Sequence, residues 1–369
     1  MPIDVSGEVR ISHIYGVMPG SGRLVVKRQS GMASQFAEPG PIAEHKVGRC
    51  FLCGGTASEL MAAGYDYEIQ TCSNKWQFLR CIDIECGLAR LDPRPETSAL
   101  GVIYPHDYYA YRMGKISTFA LKAKEWLDRQ KFAGILRYGC KPRRYLDIGC
   151  GDGRYLRMVE TLCGLAKVDL YGVELDSRAV SGLEAQGYRA ICSRVEDCGQ
   201  HLEAGSFDLI TIFNVIEHVV DPVALIKDMH AWLAPGGLVA IETPDTSALD
   251  ARLFAEGLWG GYHFPRHWTL FTRESLRRAA EDAGLEVVAF AGQTGHSFWM
   301  YSLHHWLKYG SRGDGLSARG AAPWLAACFD PLDKWGLPML VFFTILDMVR
   351  RACGLRTSSQ LLIARKKCD

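Results

Sequence analysis

The chain has 369 residues, a formal net charge of +1 and a hydrophobic fraction of 48%. That length accommodates one large α/β core with smaller appendages, and the apolar fraction is sufficient to bury it. The nearly neutral charge, without a long basic run, excludes general nucleic-acid binding. Thirteen cysteines, an odd number, indicate a reducing cytoplasm rather than a disulfide framework.

The N-terminal segment, residues 1–47, mixes glycine, proline, serine and charged residues without a sustained hydrophobic period. We predict that it is disordered. No secretion signal is visible in it, and Met32 is an alternative start.

Two cysteine pairs follow, and each pair is succeeded by a glycine that lets backbone amides turn towards sulfur. Four thiolates on two such turns suit tetrahedral zinc. The predicted ligands are Cys50, Cys53, Cys81 and Cys86. We predict a zinc-ribbon-like segment over residues 48–95, with a structural metal because four cysteines leave no open ligand position. The second pair is spaced more widely than usual, so Cys72 and His45 remain alternative ligands, and buried free thiols remain the alternative to a metal.

The most informative segment begins at Tyr145. An apolar run that contains Asp147 is followed directly by three glycines at alternate positions, Gly149, Gly151 and Gly153. This pattern predicts a strand, a tight turn and a helix start, which together hold a nucleoside cofactor against the main chain. The dinucleotide fingerprint would need its third glycine at position 154, where the chain has arginine. A cofactor other than NAD is therefore favoured.

A second predicted strand ends at Glu174, about 20 residues after the turn. An acid at that place can accept hydrogen bonds from both hydroxyls of a ribose. The alternative is a solvated loop acid.

A nearly continuous apolar run at 207–213 predicts a central parallel strand buried on both faces. Asn214 follows it, then a Glu-His-x-x-Asp-Pro motif at 217–222 and a Leu-Ala-Pro-Gly-Gly turn at 233–237. Together with the glycine turn, this set resembles the class I S-adenosylmethionine-dependent methyltransferases over about 143–290. The resemblance implies a Rossmann-like, seven-stranded, mostly parallel α/β sheet with helices on both faces, whose final strand returns at 359–365.

The same resemblance implies that S-adenosylmethionine is the cofactor. It places Val195 and Glu196 beside the adenine, with Glu196 accepting a hydrogen bond from the exocyclic amine. Asn214 joins the cofactor-binding residues.

If the acceptor carries a removable proton, His218 is the leading base because it follows the fourth strand at the carboxyl edge of the sheet. The alternative is a histidine that fixes the strand end. The resemblance implies that the related quinone O-methyltransferases bind a divalent metal at this motif. Their metal-binding pattern has an acidic residue at the position where this chain has Asn214. We therefore do not expect a catalytic metal, and assign no chemistry to Glu217.

The loop 260–271 contains two further histidines, an arginine and several aromatic residues. It resembles the segment that closes over the acceptor in bacterial relatives. We predict His263 and His267 as rival bases, Arg266 as a bidentate ligand of an anionic substrate group, and Tyr262 as a substrate contact. The alternative is a packed loop with a buried histidine.

Residues 91–95 and 104–109 resemble the linker between zinc ribbon and methyltransferase domain in a bacterial family that modifies sugars, surface glycans or natural products. The resemblance implies a small-molecule or glycan acceptor. The predicted divisions are 1–47 disordered, 48–95 ribbon, 96–142 helical linker, 143–292 core, 293–357 helical cap and 358–369 final strand and tail.

The cap contains an apolar run at 337–346 that is too short to span a bilayer, followed by Arg350 and Arg351. A cap over the acceptor site is favoured over an interfacial helix, and peripheral membrane contact with a lipid-linked acceptor remains the alternative.

Two other functions stay open. An NAD-dependent oxidoreductase would explain the glycine turn and Glu174 but not the Glu-His-x-x-Asp-Pro strand end. A zinc-stabilised binding protein with a non-catalytic cofactor pocket would explain the ribbon but not three histidines near one sheet edge.

Overall fold

The computed structural model describes residues 39–105, 118–139, 141–310, 315–316, 320, 322–331 and 333–368. Residues 1–38, including Met32, lie outside that part, so the predicted disorder is not addressed there. For residues 39–47 the prediction of disorder is wrong. Strand β1 (Glu44–His45) pairs with the later segment Arg94–Pro95, and the Ile42 backbone N–H donates to Asn74 Oδ1 at 2.7 Å.

The predicted seven-stranded, mostly parallel sheet is confirmed. The strands of the ribbon region, in chain order, are β2 (Ser58–Gly64), β3 (Trp76–Cys81), β4 (Ala89–Leu91) and β5 (Arg94–Pro95). The strands of the large sheet are β6 (Tyr145–Ile148), β7 (Leu170–Glu174), β8 (Arg189–Cys192), β9 (Phe207–Phe213), β10 (Leu233–Pro244), β12 (Leu285–Gln293) and β13 (Ser359–Lys366). Their spatial order is β12-β13-β10-β9-β6-β7-β8, and β13 alone among them runs antiparallel. The switch in strand order at β6 and β9 places the ligand crevice above these two strands.

Apolar side chains on both faces of this sheet explain its burial. In β6, Leu146 and Ile148 join one apolar cluster, whereas Tyr145 joins another. Alternate residues of a strand point to opposite faces, so the two clusters cover the two sides. The packed helices are α3 (Arg154–Cys163), α4 (Ser177–Ala185), α5 (Pro222–Trp232) and α7 (Arg273–Asp282).

The linker region contains α1 (Leu100–Ile103) and α2 (Thr118–Leu136). Lys131 of α2 is buried and its Nζ lies 2.5 Å from Glu242 Oε2 near the end of β10. Burial alone would lower the pKa of Lys131, but Glu242 outweighs it and raises the pKa. This ion pair fixes α2 against the carboxyl edge of the sheet.

The sheet of the ribbon region includes one strand from the methyl-transfer core of the sequence prediction, residues 143–292. A four-stranded antiparallel sheet has the order β11-β4-β3-β2, and β11 (Thr269–Leu270) comes from the loop after β10. Three of the predicted metal-binding cysteines share an apolar cluster with Phe271 and Leu276 of the core. The ribbon is therefore not a self-contained segment of residues 48–95.

Two longer helices, α8 (His296–Tyr309) and α9 (Leu337–Ala352), lie in the chain between β12 and β13. The short α6 (Leu249–Leu253) precedes the loop 260–271. Helix α8 packs against Gly260–Tyr262, and α9 packs on α8, where the Trp299 and Phe343 rings stack with centroids 5.6 Å apart. Among the described helices, none has both the length and the apolar character needed to cross a bilayer.

Candidate functional site

The glycine turn after β6 adopts left-handed backbone angles, with φ of 75° at Gly149, 54° at Gly151 and 81° at Gly153. A Cβ at Gly149 would lie 2.3 Å from Val215 Cγ2, and a Cβ at Gly153 would lie 2.2 Å from Leu183 Cδ2. A Cβ at Gly151 would meet no described atom within 4 Å. The outer glycines thus serve packing, whereas Gly151 faces open space and fits the edge of a nucleoside cofactor.

Asp147 lies beneath this turn. Its Oδ1 accepts a hydrogen bond from the Thr211 hydroxyl at 2.8 Å, and that hydroxyl lies 2.6 Å from the Tyr145 hydroxyl. Burial raises the pKa of Asp147 to about 7. Its buried Oδ2 has no hydrogen-bond partner among the described residues, so it can accept one from a ligand.

Glu174 closes the turn from the side of β7. Its Oε2 accepts from the Gly151 backbone N–H at 2.9 Å, and its Oε1 accepts from the N–H groups of Leu175 and Asp176 at 2.7 and 3.1 Å. These bonds hold the carboxylate at the strand end beside Gly151. That is where an acid contacting a ribose is expected.

The other predicted cofactor residues lie around the ends of β8 and β9. Asn214 is exposed, has a φ of 54°, and donates its backbone N–H to the Glu242 carbonyl at 2.8 Å. Val195 is half-buried. The Glu196 carboxylate accepts from the Val220 backbone N–H at 2.8 Å, which ties the loop after β8 to the loop after β9.

The three predicted rival bases come together in one cluster. The ring centroids of His218 and His267 are 4.6 Å apart, those of His263 and His267 are 5.0 Å apart, and those of His218 and His263 are 6.3 Å apart. His263 and His267 are buried, whereas His218 is half-buried. His218 is thus the most accessible of the three.

Hydrogen bonds to carbonyl oxygens define the tautomers of two of these rings. His218 Nδ1 lies 2.9 Å from the Arg266 carbonyl and 2.9 Å from the Tyr104 hydroxyl, and His267 Nδ1 lies 2.8 Å from the Gly261 carbonyl. Because a carbonyl oxygen only accepts, each Nδ1 carries a proton and donates it. In the neutral ring, Nε2 then carries the lone pair.

The electrostatics keep these two rings neutral. Burial, reinforced by His263, lowers the pKa of His218 to about 3, and burial holds the pKa of His267 well below its usual range. Burial also raises the pKa of the adjacent Glu217 to about 8. The cluster therefore contains two neutral imidazoles beside a carboxyl group that favours its protonated form.

Glu217 and the two imidazoles could also hold a metal ion. The Glu217 Oε2 accepts from the Thr243 hydroxyl at 3.0 Å, and its Oε1 is buried 3.9 Å from His267 Nε2. Glu217, His218 and His267 each offer a ligand atom within 4.8 Å of the other two. Two imidazoles and one carboxylate suit several divalent transition metals. Asn214 alone therefore does not exclude a metal, because His267 is a third candidate ligand that the sequence motif does not contain.

His263 is paired with an acid from the ribbon region. Glu68 lies between β2 and β3, and its Oε2 is 2.5 Å from His263 Nδ1, with both side chains 4% exposed. His263 has a φ of 41°, a left-handed conformation that is uncommon outside glycine and is held by the surrounding structure. Sequence reasoning missed Glu68 and Tyr104 as site residues. The only local signal for Glu68 was an acid inside the aromatic segment 65–69.

Arg266 has a different role from the predicted one. Its guanidinium donates to both oxygens of Asp66 at 3.0 Å, and its Nε donates to the Ile103 carbonyl at 2.8 Å. Burial alone would raise the pKa of Asp66, but Arg266 outweighs it and lowers the pKa. The predicted substrate contact is therefore contradicted, because the Arg266 guanidinium is fully buried and already binds the carboxylate of Asp66.

Tyr262 also packs inside the protein. Its hydroxyl donates to the Ala255 carbonyl at 2.9 Å, and its ring stacks on Phe264 and Phe78 at 5.4 and 5.6 Å. Only 1% of the residue is exposed. The predicted contact of Tyr262 with substrate is therefore contradicted. The alternative prediction, a loop packed inside the protein, describes both Tyr262 and Arg266.

The four predicted metal-binding cysteines converge. Their Sγ atoms pair at 3.4 Å for Cys50 with Cys86 and at 3.5 Å for Cys53 with Cys81, and all four lie within 4.8 Å of one another. Zinc–sulfur bonds of about 2.3 Å place tetrahedral sulfur atoms roughly 3.8 Å apart, so the set fits zinc. Cys72 lies instead in a separate apolar cluster.

His45, the other alternative ligand, is exposed on β1. Neither it nor Cys72 belongs to the sulfur group that the described residues form.

Comparison with known proteins gives concordant findings. A family model described as a methyltransferase domain matches residues 123–289. The ubiquinone biosynthesis O-methyltransferase of Bordetella avium (strain 197N) is 30% identical over 184 residues, which cover 46% of this chain and 70% of that protein. The protein of the same name from Parvibaculum lavamentivorans is 35% identical over 156 residues, covering 40% of this chain and 61% of its own length.

A solved structure of an S-adenosylmethionine-dependent methyltransferase from Mesorhizobium loti is 18% identical with a TM-score of 0.41, covering 65% of this chain and 97% of that one. The residues matched by the family model include the glycine turn and the strands β6 to β10. The chain belongs to the class I S-adenosylmethionine-dependent methyltransferase family.

Proposed function

We propose that this protein transfers a methyl group from S-adenosylmethionine to a small-molecule acceptor, with a cluster histidine as the base. The observation that carries the proposal is the contact between the two halves of the site. The Gly149 backbone lies against Val215, and His218 follows three residues later in the same strand-end loop. A proton acceptor is thus built into the segment that borders the predicted donor turn.

The cofactor would be held by the glycine turn and the acids around it. Gly151 leaves room for the nucleoside, Glu174 would bind the ribose, and Asp147 would accept a hydrogen bond through Oδ2. Asn214, Val195 and Glu196 would border it. When bound, the sulfonium supplies a methyl group with a good leaving group, so alignment and exclusion of water are the main tasks left to the protein.

His218 is the proposed base. It is less buried than the other two histidines, and its Nδ1 donates to a backbone carbonyl, which leaves Nε2 unprotonated. Nε2 would accept the proton that the acceptor loses. The nearby carboxyl of Glu217 would stabilise the imidazolium if it ionises, as a carboxylate does beside a catalytic histidine.

His263 and His267 would support this proton transfer. The Glu68 carboxylate orients His263, and the Gly261 carbonyl orients His267. Because the carboxylate fixes the ring through Nδ1 and leaves Nε2 available, His263 is the second candidate base.

Zinc at the four cysteines would have a structural role. Three of these cysteines pack into the core cluster, and β11 joins the ribbon sheet to the histidine loop, so the metal would hold the acceptor half in place. Thiolate ligation also agrees with the reducing cytoplasm that we propose as its location.

The class of acceptor is the less specific part of the proposal. Ubiquinone biosynthesis O-methyltransferase is the name of both relatives described above. We propose a small molecule, with a glycan or a lipid-linked molecule as the other acceptor classes. Mass spectrometry of metabolites from a deletion strain should reveal the acceptor as a species lacking one methylene mass.

Calorimetry tests the donor half. Titration with S-adenosylhomocysteine should give one site per chain, and titration with NAD should give no heat of binding. Binding of NAD alone would support the oxidoreductase instead.

Turnover of the identified acceptor tests the base. The His218→Ala variant should lose about 100-fold or more of its turnover while keeping its affinity for S-adenosylhomocysteine. Unchanged turnover would move the base to His263 or His267, and loss of a bound metal in the same variant would favour the metal-binding alternative for Glu217, His218 and His267.

A further inference from the structure

Helix α9 exposes an apolar face that the rest of the described chain does not cover. Its outward residues recur at helical spacing and are between 39% and 56% exposed. They are Leu337, Val341, Phe342, Ile345, Met348 and Val349. The opposite face, with Phe343 and Asp347 buried, packs on α8. The helix is therefore apolar on its solvent face as well as on its packed face, where Met339, Leu340 and Leu346 join the cluster around Phe343.

Further exposed apolar residues flank the helix in the chain. Trp324 and Trp335, which precede α9, are 76% and 64% exposed. Leu355, which follows α9, is exposed and lines a shallow cleft together with Leu249 of α6. An exposed apolar helix face flanked by such residues marks an interaction site.

The charges at the C-terminal end of this face are positive. Arg350 and Arg351 lie in the last turn of α9, and Arg252 lines the same cleft as Arg350. The one acid of the helix, Asp347, is buried and accepts the Gly295 backbone N–H at 2.7 Å. The exposed face of α9 thus has arginines at one end and carries no acid.

We propose that this face docks on an anionic lipid surface. An apolar helix face can lie within the headgroup region while adjacent arginines reach the lipid phosphates. Tryptophan side chains are favoured at that depth because their rings are apolar and their N–H groups can donate to water or headgroups. The surface formed by α9, Trp324, Trp335 and the flanking arginines combines all three features.

The charges at the C-terminal end of the face fit lipid headgroups. Arg350 and Arg351 lie in the last turn of α9, and the one acid of that helix, Asp347, is buried on the opposite side. Lipid phosphates would compensate the two arginines. Asp333, whose side chain accepts the Trp335 backbone N–H, lies before the other end of the helix, so an antiparallel pairing of two α9 helices is the competing arrangement.

Flotation of the full-length protein with vesicles tests this proposal independently of methyl transfer. Vesicles of phosphatidylcholine with phosphatidylglycerol should carry the protein upward, and vesicles of phosphatidylcholine alone should carry much less. The double variant Val341→Asp with Ile345→Asp should lower the bound fraction by about tenfold or more. Val168→Asp, which changes an equally exposed valine elsewhere, should bind like the parent protein.

A second double variant tests the contribution of the arginines to vesicle binding. Arg252→Gln with Arg351→Gln should remove the preference for anionic vesicles while leaving the melting temperature unchanged. Failure of the parent protein to float with anionic vesicles would overturn the proposal, as would equal flotation of the Val341→Asp/Ile345→Asp protein. A parent dimer in light scattering that this double variant converts to a monomer, without vesicle binding, would assign the face to a second copy.

Discussion

The donor half and the acceptor half of the proposed site are built in different ways. Asp147, the glycine turn and Glu174 follow one another within a single strand–turn–helix–strand unit. The histidine cluster depends instead on residues far apart in the chain, since Tyr104 and His218 are separated by 114 positions and Asp66 and Arg266 by 200. A local motif is sufficient to form the donor half, whereas the acceptor half exists only once the ribbon has docked.

This difference separates the residues that would contact the acceptor from those that would bind the methyl donor. The ribbon region supplies Glu68 to His263 and Asp66 to Arg266, and the core loop returns β11 to the ribbon sheet. Changes in the ribbon should therefore alter the acceptor side while leaving the donor side intact.

Loss of the sulfur cluster should have the largest effect. Cys50→Ser should abolish the bound zinc, measured by elemental mass spectrometry as about one ion per chain in the parent. It should also cost several kcal/mol of unfolding free energy, because binding of structural zinc contributes to folding directly. Cys72→Ser is the matched control, since that cysteine is buried outside the cluster and should retain the zinc. Retention of zinc in Cys50→Ser would contradict the ligand assignment.

The buried pair between the ribbon region and the histidine loop should rank next. Asp66→Asn leaves the Arg266 charge without its carboxylate in a fully buried place, so chemical denaturation should show a loss of about 3–5 kcal/mol. Glu125→Gln breaks an exposed pair with Arg129 and should cost less than about 1 kcal/mol. Equal costs for the two variants would mean that the pair does not hold the ribbon region to the histidine loop.

Glu68 should affect turnover more than stability. Glu68→Gln keeps the side-chain volume but removes the charge beside His263, so kcat should fall by about tenfold or more and the pH–rate profile should shift. Affinity for S-adenosylhomocysteine should not change. The control Glu59→Gln alters an exposed acid of β2 and should leave turnover unchanged. A fall in stability with an unchanged pH profile would instead indicate a purely structural Glu68.

The smallest expected effect is a change in pH dependence. The pKa of His218 is about 3 in the folded protein and near 6.5 in the unfolded chain, so the unfolded chain takes up a proton first as the pH falls. The stability from this neutral histidine is complete above about pH 6.5 and is lost as the pH falls towards 3. His218→Asn should make acid denaturation less steep in that window, whereas His45→Asn, at an exposed position, should not.

Much of the fold follows from sequence because its signals are local. The apolar run of β9, the glycines after β6 and the returning strand β13 each predict their element and its place in the sheet. Residues 39–47 departed from the prediction because the β1–β5 pairing and the Asn74 contact depend on distant parts of the chain.

Within the site, convergence of the cysteines and of the histidines could be predicted, but the partners of Arg266 could not. An arginine next to histidines and aromatic residues has the same local pattern whether it binds a substrate anion or a buried Asp66. Only the folded structure distinguishes the two, because Asp66 reaches it from the ribbon across 200 positions.

Calorimetric titration of the Gly151→Val protein with S-adenosylhomocysteine tests the donor assignment most directly. A Cβ there meets no atom of the described residues within 4 Å, so the variant should fold with only about 1–3 kcal/mol of backbone strain. Gly205→Val is the matched control, because that glycine also has a positive φ and open surroundings but lies away from the turn. We predict binding to the parent protein and to Gly205→Val and no measurable binding to Gly151→Val. Equal affinity in all three proteins would contradict a methyl-donor site at this turn.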